Sequence, residues 1–301
     1  MIKVAWSKSY CHPLPTGHRF PMEKYDLISE QLIHEGILTQ DNFFAPQNVD
    51  DLPIIAVHDE VYLKRLKQLE LDKSEIRKTG FPLSEALVDR EINILSGTIA
   101  GAQYALDAGV AMNVAGGTHH AFTDHGEGFC LLNDQAVGAQ YLMDHHDAIG
   151  KILIVDLDVH QGNGTAQIFS DNDQVFTFSM HGEKNYPMKK ERSNLDVALV
   201  DNTGDEEYLQ ILRKSLSEIM THFQPDFIFY QSGVDVLATD KLGRLSLTLE
   251  GCKRRDEIVI KTAHERQVPI HISMGGGYSK DIKVIVNAHV NTFRIVQDLY
   301  G

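Results

Sequence analysis

The chain has 301 residues, 43% hydrophobic and 23% charged, enough apolar content for a large core and no composition of a disordered segment. Its formal net charge of −14 is the wrong sign for a surface that grips nucleic-acid phosphates, and such an acidic body tends instead to attract cationic substrates. Three cysteines, Cys11, Cys130 and Cys252, are odd in number and widely spaced, which excludes a disulfide framework and a cysteine zinc site. The N-terminal "MIKVAWSKSY" has no apolar leader core, and no run reaches membrane length. The expectation is a cytoplasmic protein without a membrane or nucleic-acid partner.

Strand-like segments follow in order: "IKVAW" (2–6), "MNVAGG" (112–117), "KILIVDLD" (151–158), "QVFTFSM" (174–180), "DFIFYQSG" (226–233) and "PIHISMGGG" (269–277). Segments of helical period lie between them. In 84–109 the apolar residues Leu87, Ile94, Leu95, Ile99 and Ala102 recur at threes and fours. The segment 205–223 repeats that pattern with Asp205 as its N-cap, and 246–267 offers Thr248 as another. The "DHHD" of 144–147 reads as the solvated end of a helix. This alternation predicts an α/β fold with a mostly parallel sheet. No repeat or Pro/Ser linker divides it, so one domain over 1–301 is expected.

The polar residues of these strands gather at one end. His119 and His120, His160, His181, Asp235 and Tyr278 each follow an apolar run, and ligands of open α/β sheets bind beyond the carboxyl ends of the strands. The stretch "KILIVDLDVHQGNG" is the most informative. Alternation along a strand turns Asp156, Asp158 and His160 the same way. Two buried carboxylates need a cation or strong hydrogen bonds. Asp158 and His160 are donors that zinc accepts, and a catalytic zinc takes three protein ligands with one open position. Asp235 is the best third ligand, and Asp156 then orients an imidazole. His119 and His120, beside a glycine turn, supply the base and acid that amide hydrolysis requires. Tyr278, after three glycines, can donate to a developing oxyanion. A phosphate-cradling loop is the other reading of those glycines, but no Walker lysine accompanies them.

The motifs "GGTHHAF", "GEGFCLLNDQAVGA", "ILIVDLDVHQGNGT", "FSMH", "QSGVDV", "LGRLSLT" and "MGGGYS" resemble, in that order, those of the histone deacetylase superfamily. The likeness runs from about residue 112 to 280, and "HPLPTGHRFPMEKY" resembles the opening of class IV-like and bacterial members. The resemblance implies the three-layer arginase/deacetylase fold and zinc-dependent removal of acetyl or longer acyl groups from lysine side chains or related amines, acetylpolyamines among them. It implies one Zn2+ held by Asp158, His160 and Asp235. His120 becomes general base and acid, His119 an electrostatic partner backed by Asp156, and Tyr278 the group that polarises the scissile carbonyl. Phe129 and Tyr186 resemble the walls of an acyl-lysine tunnel. Gly128, Leu242 and Gly276 resemble its other substrate contacts, and Arg19 a residue of a product channel. A structural K+ or Na+ is implied near Asp156, Asp158, His160, Ser179 and Met180.

One departure stands out. Where many members have "HHGDG" this chain has "HQGNG", so the partner of His120 is Asn163 in place of aspartate, as in class IV-like members. Two other functions fit these residues less well. A two-metal ureohydrolase on the same fold needs further carboxylates, and position 237 is Leu237. A non-catalytic binding module has no need of the ligands, both histidines and the tyrosine together.

Overall fold

The computed structural model describes all 301 residues. Eight strands form one sheet: β1 (Lys3–Ala5), β2 (Phe43–Phe44), β3 (Val110–Asn113), β4 (Ile152–Asp156), β5 (Val175–Gly182), β6 (Leu195–Leu199), β7 (Phe227–Gln231) and β8 (Ile270–Ser273). Their order is β2-β1-β3-β8-β7-β4-β5-β6, and every neighbouring pair is parallel. Parallel pairs need long crossovers, and the helices in those crossovers cover both faces of the sheet. The central strands β4 and β7 are accordingly buried at every residue, as their unbroken "ILIV" and "FIFY" runs require. No helix is long and apolar enough to cross a membrane.

The long helix Glu85–Ala108 is capped by the Ser84 hydroxyl and ends at Gly109, whose φ is 80°. Its expected inward positions, Leu87, Ile94, Leu95, Ile99 and Ala102, are all buried. Thr248 caps the helix Leu249–Arg266 as expected, accepting from the Gly251 N–H at 2.9 Å. Asp205 is not a cap. Gly204 holds that position, and Asp205 is the first residue of the helix Asp205–His222, where its negative charge suits the helix dipole. Its carboxylate accepts from the Thr248 N–H and hydroxyl at 2.8 and 2.6 Å, which ties the starts of two helices together.

All six expected strands lie in the sheet, but each except β5 stops short of its expected carboxyl end. β4 ends at Asp156. Beyond it the Asp158 N–H donates to Asp156 Oδ1 at 3.1 Å, and the His160 N–H donates to Asp158 Oδ1 at 3.0 Å. These local side-chain bonds replace the sheet ladder and turn the chain. Asp158 and His160 therefore meet through two successive turns, not through strand alternation. Two strands were not expected, β2 and β6. Both lie at sheet edges. The first has only two residues, and the second is half-exposed between Asp196 and Ala198.

Candidate metal and catalytic site

The four adjacent strands β3, β8, β7 and β4 deliver the polar residues to one place, each from the loop at its carboxyl end. The ligand atoms of Asp158, His160 and Asp235 lie within 4.8 Å of one another. His160 Nδ1 is 2.9 Å from Asp158 Oδ1 and 3.2 Å from Asp235 Oδ2. The remaining carboxylate oxygens already have donors. The Gly276 N–H reaches Asp158 Oδ2 and the Val159 N–H reaches Asp235 Oδ1, both at 2.9 Å. Gly276 must be glycine for this, because a Cβ there would stand 2.1 Å from Asp235 Oδ2. Asp235 Oδ2 itself is buried without a hydrogen bond.

Two carboxylates with at most 1% exposure cannot both stay charged without a counter-charge. Burial, and then the charge of Asp158, push Asp235 up to about 7. Burial alone would lower His160, but its bond to Asp158 and the nearby charge of Asp235 hold it up at about 10. A protonated imidazole thus stands where a cation belongs. Two carboxylates and an imidazole, one oxygen unpartnered, form a donor set that fits a divalent ion such as zinc.

Beside this cluster the two histidines differ. His119 Nδ1 donates to Asp156 Oδ2 at 2.7 Å, and His120 Nδ1 donates to Asn163 Oδ1 at 2.6 Å. The rings tilt against each other with centroids 4.1 Å apart. Burial works against the charged form of His119, yet the carboxylates of Asp156 and Asp158 raise its pKa. His120 is pushed well down by burial and by the neighbouring imidazoles of His119 and His160. The Asn163 amide cannot turn freely, because its Nδ2 donates to Glu127 Oε1 at 2.6 Å. That bond fixes which amide atom faces His120. His120 is then neutral with its proton on Nδ1, and Nε2 carries the lone pair.

Tyr278 is buried. Burial, followed by the charges of Asp158 and Asp235, holds its pKa well above the ordinary phenol value, so it keeps a proton to donate. Its N–H bonds Asp240 Oδ2 at 2.6 Å, while Asp240 Oδ1 accepts from the Leu242 and Gly243 N–H groups at 2.8 and 3.0 Å. Asp240 thereby fastens the glycine loop to the loop after β7.

Residues 18–293 match the histone deacetylase domain. The chain belongs to the histone deacetylase family. Histone deacetylase 2 of Arabidopsis thaliana is 30% identical to it over 97% of this chain and 79% of that protein. An uncharacterised protein of a Picosynechococcus strain is 41% identical over 99% of both chains. The acetoin utilization protein AcuC of Staphylococcus xylosus is 27% identical over 92% and 77%. The crystal structure of the HDA15 HD domain superposes with a TM-score of 0.83 at 20% identity, covering 99% of this chain and 88% of the other, which shows a shared fold. The α/β deacetylase architecture expected from the motifs is the one present.

Two cavities meet at this site of the deacetylase domain. The outer one, about 290 Å³, is lined by Gly128, Phe129, Tyr186 and Leu242 together with His120, His160 and Tyr278. The inner one, about 40 Å³, shares His120, Gly128, Phe129, His160 and Tyr278 and adds Gly276 and Arg90. Phe129 stands at φ 67°, a left-handed conformation that costs about 1–3 kcal/mol in a bulky residue. Its N–H bond to Thr79 O at 2.7 Å holds it there. A Cβ at Gly128 would lie 2.5 Å from His120 Cδ2. Tyr186 stands edge-on to His120, with ring centroids 5.0 Å apart. Gly276 lies on the inner side against the carboxylates, not in the outer cavity. Arg19 is on the outer side, its guanidinium 4.9 Å from the Phe129 ring centre. The inner cavity is lined by the cation Arg90, and the fully buried Lys24 donates from Nζ to the O of the cavity-lining Gly275 at 2.8 Å. Ser179 pairs in register with Asp156 on the neighbouring strand, and Met180 follows it.

Sequence reading missed four residues that shape the site: Lys24, Glu127, Asp240 and Arg255. Lys24 and Glu127 lie within the motifs that carry the resemblance, Asp240 just before one of them, and all three were legible in principle. Arg255 was not. It stands beside Arg254, which is partly exposed and paired with Glu206, but Arg255 itself is fully buried. Its Nη1 donates to Leu157 O and Gly233 O at 3.2 and 2.5 Å, and its Nη2 to Ser232 O at 3.2 Å. Those carbonyls belong to the two loops that carry Asp158 and Asp235.

Proposed function

We propose that the protein is a metal-dependent deacylase that hydrolyses the amide of an acylated lysine side chain or a related amine. The observation that carries this reading is the buried Asp158, His160 and Asp235 set, whose Asp158 and His160 line the inner cavity with a neutral His120 and a protonated Tyr278. Asp158, His160 and Asp235 hold a divalent ion, Zn2+ in the first instance, which when bound supplies Lewis acidity to the amide carbonyl and the attacking water. His120 Nε2 takes the proton of the water and later delivers it to the leaving amine. Asn163 keeps the other ring nitrogen protonated, so that only Nε2 can do so. His119, its charged form favoured by Asp156 and Asp158, contributes positive potential where negative charge develops. Tyr278 donates a hydrogen bond from its hydroxyl to the carbonyl oxygen as that charge forms, keeping its proton. Phe129 and Tyr186 flank the acyl-bearing chain and exclude water. A monovalent cation near Asp156, Asp158, His160, Ser179 and Met180 belongs to the same proposal.

The test is a screen of purified, zinc-loaded protein against acetyl-, decanoyl- and myristoyl-lysine peptides and acetylpolyamines, reading free acid and free amine. Release from at least one substrate, lost on chelation and restored by Zn2+, is expected. No release with any divalent ion would overturn the reading.

A further inference from the structure

The outer cavity carries a charge opposite to that of the molecule. Arg19, Lys78, Lys184 and Arg244 line it, and no carboxylate does, although the chain as a whole has a net charge of −14. The four come from separate parts of the chain: the N-terminal loop, the end of the helix Lys73–Thr79, the turn after β5 and the loop after β7. All four are exposed. Asp201 neutralises part of this charge, with Oδ2 at 3.2 Å from Arg244 Nη1 and 3.8 Å from Lys184 Nζ. Arg19 rests on the Phe129 ring at 4.9 Å. Asp201 and Glu127, the latter beside Asn163 and Tyr186, are two carboxylates against four cations, which leaves the mouth positive.

We propose that this mouth selects acyl-lysines whose neighbouring residues are acidic. The inference rests on the deacylase reading of the central site. An acylated amine carries no charge, so its nitrogen gives the field nothing to attract, and steering must come from the groups flanking it. Flanking carboxylates of a bound peptide fall within the roughly 8–10 Å over which physiological salt leaves charges visible to each other. A basic tail or a polyamine meets four like charges at the same place. The attraction for cations expected from overall composition is therefore reversed where substrate enters. A long polyanion is disfavoured for another reason: beyond the rim it runs over an acidic body.

The experiment compares three acetyl-lysine peptides, identical except for Asp, Ser or Lys on either side. Their kcat/KM is measured with zinc-loaded protein at low salt and at about 0.5 M salt. Their Kd is measured by fluorescence anisotropy under the same conditions. The Asp-flanked peptide is expected to be cleaved and bound about tenfold better than the Ser-flanked one at low salt, the size of two exposed ion pairs. The Lys-flanked peptide is expected last, and the gap is expected to close at high salt. Lys78→Glu combined with Lys184→Glu should shrink the Asp-to-Ser ratio. Equal constants for all three flanks, or preference for lysine, overturn the proposal. So does a single-stranded oligonucleotide that displaces the Asp peptide at lower concentration than the peptide binds. If none of the three acetyl peptides is cleaved, the broader acyl screen decides the deacylase reading, and anisotropy still decides the preference for acidic flanks.

Discussion

Residue 163 sets how easily His120 takes a proton. A neutral amide accepts from Nδ1 at 2.6 Å but offers no charge to an imidazolium, and burial already keeps His120 well below its ordinary value. An aspartate at 163 favours the charged ring and raises the pKa. A base must be neutral to accept a proton, so the acidic limb of kcat/KM for Asn163→Asp is expected at higher pH than in the wild type. Profiles of both proteins on one acyl-lysine peptide, with metal content checked, give the answer: superimposable curves mean that residue 163 does not contact the catalytic imidazole or that His120 is not the base. Tyr278 makes a simpler case. Its hydroxyl matters only once the carbonyl oxygen becomes negative, so Tyr278→Phe should lower kcat on the order of 10²-fold or more with little change in substrate affinity. Near-full kcat would reduce Tyr278 to packing.

At the scale of elements, the helix Leu249–Arg266 does more than cover the sheet. Arg255 binds the carbonyls of Leu157, Ser232 and Gly233 and pairs with Asp256, whose carboxylate also accepts from Tyr230 and Thr292. Arg255→Met leaves Asp256 buried without its counter-charge, and a loss of about 3–5 kcal/mol in urea unfolding is expected. Zinc affinity should fall as well, since the two loops held by Arg255 carry the ligands. A variant as stable as wild type would show that Asp256 does not depend on Arg255 for its counter-charge. No periodicity could reveal this role, because a buried arginine and an exposed one are the same letter in "CKRRDE". The strands were legible for the opposite reason: uninterrupted β-branched and aromatic runs such as "ILIV" can satisfy burial on both faces only in a covered sheet. The edge strands escaped because half-exposed short segments carry no such signal.

For the whole molecule, the order of strands accounts for most of what could be read in advance. Polar residues after four apolar runs converge only if those strands are parallel neighbours, as β3, β8, β7 and β4 are. The ligand trio, the His119–Asp156 pair and the His120–Asn163 pair were therefore within reach of the sequence. The turns at Asp156 and Asp158, the Glu127 bond to Asn163 and the cationic mouth depend on side-chain positions that spacing does not encode. One cluster of three ligands predicts one divalent ion per chain by elemental analysis. Two ions about 3.5 Å apart in anomalous maps, as in two-metal sites, would contradict it. An ion held at a hundred times its Kd adds about 2.7 kcal/mol to folding, so chelation should lower the melting temperature and zinc should restore it.

The same convergence bears on how the chain reaches its native state. The bond from Gly276 to Asp158 joins residues 118 apart in sequence, and that from Lys24 to Gly275 spans 251. Large loops must close before three ligands face one another, and such non-local closures come late in folding. On the proposed metal site, an ion would then not serve as a nucleus but would capture a sheet already assembled. In stopped-flow measurements, zinc should leave the refolding rate unchanged and slow unfolding, because contacts absent from the transition state act only on the way out.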